Sequence, residues 1–237
     1  MDPRQARAGP GGFGLMAQVL KQAVRIRIED AALHCFAAQG YGGTSMAQIA
    51  TRAGTAAANV YRYFPAKETL FAAVVPADLP ARHDRLLDTR IAALADGAAH
   101  RTAAAEELLD FWLDHRLAVV VLLDRAQGTP FAGYPTTFVQ RLVEHAERSL
   151  GRPPSAAGRE VLELVFDNTR RALAHILRTA QDREHARTLV AGFWSYQVPG
   201  LDGLLSFLRE DTGEREAMTA EPRPGAGITD LPGAPPG

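Results

Sequence analysis

The sequence predicts an all-α protein: an N-terminal three-helix unit containing a helix-turn-helix, followed by a larger domain of longer helices. Two observations carry this. Apolar residues recur at helical spacing almost without interruption from Val24 to Leu208, and strand-like alternation is nearly absent. Breakers fall between the periodic runs, close together in the first third of the chain and farther apart afterwards.

The first helix carries Val24, Ile28, Ala32, Cys35 and Phe36 and stops at the breaker cluster Gly40-Tyr41-Gly42-Gly43. Thr44 is the candidate N-cap of the second helix, which holds Met46, Ile49, Ala50 and Ala53 before Gly54. A third short helix carries Ala57, Val60, Tyr61 and Phe64 and ends at Pro65. Lys67-Glu68 then opens a fourth, with Leu70, Phe71 and Val74. Pro76 and Pro80 bracket the junction with the second domain. Its amphipathic segments run over Arg82–Ala95, Ala103–Asp124, Pro135–Leu150, Ala157–Ala180 and Arg183–Leu208. Gly97, Gly128-Thr129-Pro130 and Gly151-Arg152-Pro153-Pro154 separate them, and Pro199-Gly200 predicts a kink or short break in the last. The organisation expected is a disordered leader (1–21), the helix-turn-helix domain (22–80, with the motif at 45–64), a helical ligand-binding and dimerisation domain (81–210) and a disordered tail (211–237). Met16 is an alternative start. No internal repeat is apparent.

Composition narrows the function classes. Hydrophobic residues make up 46% and charged residues 22%, the profile of a soluble globular protein. The longest wholly apolar stretch, Leu117 to Leu123, is far shorter than the ~20 residues of a membrane span. The single cysteine, Cys35, excludes an intramolecular disulfide, points to a reducing cytoplasm and reads as a small buried hydrophobe. Residues 1–75 hold eight Lys/Arg against four Asp/Glu, whereas the remainder holds 18 against 23. A basic N-terminal segment on an acidic body fits contact with a polyanion at one end.

The spacing between Ser45 and Phe64 is the sharpest local signal. Two helices crossing around a tight turn need a small residue where they touch, which Ala50 supplies. Gly54, four positions on, suits a left-handed turn, and Val60, six further, anchors the second helix. The same triple also occurs in ordinary helical hairpins.

The run from Arg27 to Phe71, RIEDAALHCFAAQGYGGTSMAQIATRAGTAAANVYRYFPAKETLF, closely resembles the DNA-binding domain of TetR-family (TetR/AcrR) transcriptional regulators. The matching positions are Ala31-Ala32, Phe36, Gly40-Tyr41, Thr44-Ser45, Ile49-Ala50, Ala53-Gly54, Tyr61, Tyr63-Phe64, Lys67-Glu68 and Leu70. The resemblance implies that Thr44 and Ser45 lie at the DNA, with Ser45 on a phosphate. It implies that Ala57, Asn59 and Arg62 face the major groove, Asn59 suiting adenine and Arg62 guanine. Tyr61 and Tyr63 would touch the sugar-phosphate backbone and Lys67 a further phosphate. A core role for Tyr61 and a solvated surface role for Arg62 are the structural alternatives; Arg25 and Arg27 read best as a solvated helix face. The sequence departs from the family where the recognition helix usually opens with Val-Ser. Here Thr55-Ala56-Ala57-Ala58 stands, leaving Thr55 as the candidate cap and at the DNA.

For the second domain the resemblance implies a palindromic operator, a homodimer built by the last two long helices, and an effector pocket among the middle ones. The candidate interface residues are Val165, Leu173, Leu177, Val190, Trp194, Leu201 and Leu205. The candidate pocket residues are Phe111, Trp112, His115, Arg116, Phe131, Tyr134 and Phe166, mixing aromatic bulk with a few polar groups. Simple core packing is the alternative for each aromatic. The seven histidines show no metal-ligand spacing, and no cofactor is expected. An enzyme is disfavoured by the absence of a GxSxG elbow, a phosphate-cradling glycine loop, an HExxH motif or a plausible cysteine nucleophile. The expectation is a sequence-specific DNA-binding regulator, a repressor released by a small-molecule effector. The alternative is a helical protein-interaction module whose helix-turn-helix no longer reads DNA.

Overall fold

The structure, a computed structural model, describes residues 11–95 and 103–219. These residues form ten α-helices and no strand: α1 Gly11–Gln39, α2 Met46–Arg52, α3 Ala57–Tyr63, α4 Lys67–Val74, α5 Leu79–Ala95, α6 Ala103–Asp114, α7 Arg116–Asp124, α8 Tyr134–Leu150, α9 Ala156–Thr179 and α10 Arg183–Thr219. The all-α expectation holds: the 29-residue α1 is followed by the short helices α2 to α4, and the longest of the later helices are α9 and α10. No helix among the described residues is long and apolar enough to cross a membrane.

Several boundaries differ from expectation. Of the leader placed at 1–21, residues 1–10 lie outside the described residues, while from Gly11 the backbone is already helical. Likewise α10 runs on to Thr219, and 220–237 of the expected tail lies outside the described residues, as does the connection placed at Gly97. Pro199 sits inside α10 without ending it. The segment read as one helix over 103–124 is two, broken at His115 (φ −112°, ψ 26°). The reason is in the two apolar patterns. In α6 a single face is buried, through Leu108, Phe111 and Trp112, whereas the six residues Ala118–Leu123 of α7 are buried on every side. A helix apolar on one stripe packs at the surface and one apolar all round must run through the interior. One straight helix cannot do both.

α7 is accordingly the axis of the molecule, packed against α1, α8 and α9. One apolar core runs from Ile28 and Phe36 of the N-terminal unit through α7 to Leu173, Leu177 and Val190. A second, smaller cluster of Val143, Ala146, Leu162, Phe166 and Leu208 closes the far end of α8, α9 and α10. Arg170, buried in α9, holds this arrangement in register: it donates to the Leu123 carbonyl at the end of α7 and to Asp167. Cys35 is buried in the first core as expected, and burial pushes its thiol pKa up, away from reactivity.

Candidate nucleic-acid interface and regulatory core

The helix-turn-helix forms as the spacing requires. Ile49 and Ala50 of α2 pack against Val60 of α3 and Phe64, all nearly solvent-free, and Gly54 makes the turn at φ +63°. A side chain there would meet nothing within 4 Å, so glycine is needed for the left-handed backbone and not for space. Between Ser45 and Phe64 there is no acidic residue, and the exposed residues of the two helices include Gln48, Thr51, Arg52, Ala58, Tyr61 and Arg62. The surface offered by α2 and α3 therefore carries only positive charge, as contact with phosphate demands.

The N-cap of α2 is Ser45, not Thr44. Its Oγ accepts from the Gln48 backbone N–H at 3.2 Å while Gln48 Oε1 accepts from the Ser45 N–H at 2.7 Å, a reciprocal capping box. The S-x-x-Q pattern was available in the sequence and is the signal that Thr44 obscured. Thr44 is buried, its hydroxyl donated to the Gly40 carbonyl at 2.8 Å, so its side chain has no access to DNA. Thr55 does not cap α3 either: that helix has Ala56 at its N-cap without a side-chain bond. Instead Thr55 Oγ1 accepts from Asn59 Nδ2 at 2.7 Å, and both residues are half-buried. Ala57 is half-buried against the core, whereas Tyr61 is 51% exposed, which decides against a core role for its ring. Arg62 is exposed with its guanidinium 5.5 Å from the half-buried Tyr63 ring. Arg25, read as solvated, bonds Glu29 at 2.8 Å and lies 5.1 Å over Phe64, bracing the end of the recognition helix.

Lys67 has a local task that sequence reasoning missed. Its Nζ donates to the Tyr41 and Thr44 carbonyls at 2.9 and 3.0 Å and stands 4.2 Å from the Tyr41 ring. These bonds satisfy carbonyls of the α1–α2 turn and pin it to α4. Tyr41 in turn donates to Glu68 at 2.7 Å, and partial desolvation together with the bonded carboxylate pushes the pKa of its half-buried phenol up to about 12. Phe36, Tyr41 and Phe71 pack edge and face with centroids 5.3–5.7 Å apart, and Phe131 of the α7–α8 connection approaches Phe71 at 6.2 Å. This aromatic stack joins α1, the α1–α2 turn and α4 to the α7–α8 connection.

The seven residues expected in one pocket occupy four places. Phe111, Trp112 and Tyr134 come together around His83, a buried residue that the pocket reading left out. It stands in the apolar stripe Leu79, His83, Leu87 and Ile91 of α5, and a histidine inside such a stripe is the signal that could have found it. His115 lies at the edge of this group, its ring 4.9 Å from Phe111 and its Nε2 3.1 Å from Arg82. Arg116 points elsewhere and donates to the Ala180 carbonyl at the end of α9, at 2.7 Å. Phe131 belongs to the interdomain stack, and Phe166 to the far apolar cluster. Two surface clefts of about 520 and 580 Å³ lie away from His83, the first lined by Glu147, Arg148 and Pro153 and the second by Arg125, Arg171 and Arg178.

Of the residues expected at a dimer interface, Leu173, Leu177 and Val190 are at most 2% exposed and belong to the core of the single chain. Val165, Trp194, Leu201 and Leu205 are half-buried. The exposed apolar residues of α9 and α10 are others: Val161, Leu164, Tyr196 and Phe207. Amphipathic spacing points at whichever face of a helix is most apolar, and for Leu173, Leu177 and Val190 that face packs inward.

Comparison with known proteins bears on the first domain. Residues 28–74 match the family described as bacterial regulatory proteins, tetR family. No curated protein sequence matches the chain significantly. Among solved structures, NalD, the secondary repressor of the MexAB-OprM multidrug efflux pump in Pseudomonas aeruginosa, is similar at 19% identity. That alignment covers 73% of this chain and 96% of NalD, with a TM-score of 0.31. Residues 28–74 therefore carry a helix-turn-helix domain that matches the tetR family of bacterial regulatory proteins.

Proposed function

We propose that this protein is a homodimeric repressor that binds a palindromic operator through α2 and α3 and is released from it by a small-molecule effector. The observation that carries the reading is the exposed, acid-free surface of α2 and α3 on a rigid three-helix core. Recognition at that surface falls to Arg62 and Tyr61. Ala58 adds a methyl that suits contact with a thymine methyl, because Asn59 is held by Thr55. Two such helices spaced by one turn of DNA, about 34 Å, read two half-sites together, which requires a dimer.

A symmetric partner fits the exposed strip of Leu164, Tyr196 and Phe207. Along α10 that strip is interrupted by Gly192, Gly200 and Gly203, where an added Cβ would meet nothing within 4 Å, so a second helix can approach closely. Leu205→Asp is a poor probe of this interface, since Leu205 packs on the far apolar cluster and its loss would damage the chain itself. Tyr196→Glu combined with Phe207→Glu is the better one. The double variant is expected to halve the mass in solution while keeping the helical content, and to bind operator with a large loss of affinity.

The primary test is selection of DNA from a random pool, followed by titration of the enriched sequence at two salt concentrations. A palindromic winner bound by a dimer with salt-dependent affinity supports the reading. A well-folded dimer that enriches no sequence overturns it and favours a protein-interaction module.

A further inference from the structure

Among the described residues two buried ring nitrogens, one on α5 and one on α6, lack hydrogen-bond partners. His83 of α5 is completely buried, with the rings of Phe111, Trp112, Tyr134 and Phe138 centred 5.8–6.2 Å from its own. Its Nδ1 lies 2.6 Å from the Tyr134 hydroxyl, and that hydroxyl donates to Asp84 Oδ1 at 2.5 Å. With its single proton committed to Asp84, the phenol oxygen accepts from His83, so the imidazole hydrogen is on Nδ1. Nε2 is left as a bare acceptor, and no described group meets it. Trp112 Nε1 of α6 is the complementary case, a buried N–H without an acceptor.

Buried polar atoms in native proteins are nearly always matched. An unmatched acceptor and an unmatched donor on adjoining rings are both satisfied by one group that donates and accepts at once. We propose that His83 and Trp112 are the polar recognition point for the effector. That effector is a neutral, flat apolar molecule bearing one hydroxyl or primary amide, whose hydrogen goes to His83 Nε2 and whose oxygen accepts from Trp112 Nε1. This rests on the reading of the chain as an effector-released regulator and adds the chemical class of the effector.

The surroundings exclude charged alternatives. Burial first, and the Arg141 charge second, push the imidazole pKa down to about 4, so His83 is neutral near physiological pH and offers a carboxylate only a repelling lone pair. An organic cation finds no free counter-charge, because Asp84 is bonded by both Tyr134 and Arg141. It would also stand close to Arg82, whose guanidinium lies 5.3 Å over the Phe111 ring. Phe111, Tyr134 and Phe138 pack about His83 with ring centroids 5.8–6.0 Å away, apolar surfaces that suit an aromatic ring.

The test titrates the full-length protein with phenol, benzyl alcohol and benzamide, and in parallel with toluene, benzoate and benzylamine. Affinity is read by calorimetry, and the two indole N–H resonances by NMR. At least one neutral polar probe is expected to bind tenfold or more tightly than toluene and than either ion, moving one of the two indole signals. His83→Phe and Trp112→Phe should each cut that preference at least tenfold with the melting transition retained. The wild-type probe comparison decides the matter even if a variant fails to fold. Equal binding of toluene, preference retained by both variants, or no binding by any probe overturns the proposal, the last leaving an internal water as the partner of the two nitrogens. Operator binding is measured on the same samples. Failed probes with an intact operator complex overturn this site alone, whereas failure to bind any DNA overturns the regulator reading beneath it.

Discussion

Lys67 separates two accounts of the same residue. On the family resemblance it is a phosphate contact; in the structure its ammonium donates to the carbonyls of Tyr41 and Thr44 and lies over the Tyr41 ring. Consider Lys67→Met, which keeps the aliphatic stem and removes the charge. A hydrogen bond to a charged group contributes about 1.5–3 kcal/mol when well buried. Lys67 is only half-buried, and the released carbonyls gain some access to water, so roughly 1 kcal/mol for each bond is the appropriate scale. The ring contact adds about 0.5 kcal/mol at such a site. The total is about 2–3 kcal/mol, and at roughly 2–4 °C per kcal/mol for a chain of this size the melting temperature should fall by about 5–10 °C.

The two accounts diverge in a second measurement. Loss of a phosphate contact reduces the slope of log affinity against log salt by about 0.9 per contact. Thermal unfolding and salt-dependent operator titration on one preparation therefore decide the matter. The structural account expects a clear drop in melting temperature with a nearly unchanged slope well below the transition. A variant that melts with the wild type but has lost about 1.8 units of slope, about 0.9 for the Lys67 of each protomer, would refute it, and would mean that Lys67 leaves the turn for the DNA.

Two further outcomes follow from particular bonds. Thr55→Val is close to isosteric and frees the Asn59 amide, at a cost of about 1 kcal/mol or less for a half-buried neutral bond. The selected DNA motif should then gain a preference at one position per half-site, whereas Asn59→Ala in the wild-type background should leave the motif unaltered. If Asn59→Ala erases a base from the wild-type motif, Asn59 reads DNA and this reasoning fails. His83 provides a pH dependence whose sign is set by its depressed folded-state pKa. Below the ordinary value of about 6.5 the unfolded chain binds a proton that the folded chain refuses until about 4. Stability is therefore lost as pH falls through that window, at about 1.4 kcal/mol per unit, or about 3 kcal/mol in all. Urea midpoints measured from pH 7 to 4.5 should fall more steeply for wild type than for His83→Phe, and parallel curves would show that His83 is not buried as described.

What was legible in the sequence was whatever depends on local rules. The positions of the helices follow from apolar period and breakers, and the Ala50–Gly54–Val60 spacing is enough to specify the crossing of α2 and α3. What stayed hidden depends on which of several equivalent partners a group finds. Thr44 and Ser45 are both good caps, and only the capping-box reciprocity with Gln48 separates them. Leu173, Leu177 and Leu164 are all apolar on one helix, and only the position of α7 against α9 decides that the first two face inward and the third outward. His83 is one of seven histidines in the sequence, and only the packing of α5, α6 and α8 encloses it.

The placement of Tyr134 gives the two halves of the molecule a physical connection. It begins α8, bonding His83 and Asp84 on one side, and stands three residues after Phe131, which reaches the Tyr41–Phe71 stack. That stack belongs to the turn that Lys67 holds, and the turn leads directly into α2. Close-packed aromatic groups of this kind transmit displacement because no void lies between them to absorb it. An effector group inserted between His83 and Trp112 must change the packing around the His83 ring, and through it the bond to Tyr134 that seats the start of α8. The start of α8 is joined through Phe131 of the preceding connection to Phe71 of α4. On the effector-released reading proposed above no hinge is required, because the packing that seats the start of α8 reaches, through Phe131 and Phe71, the turn before α2.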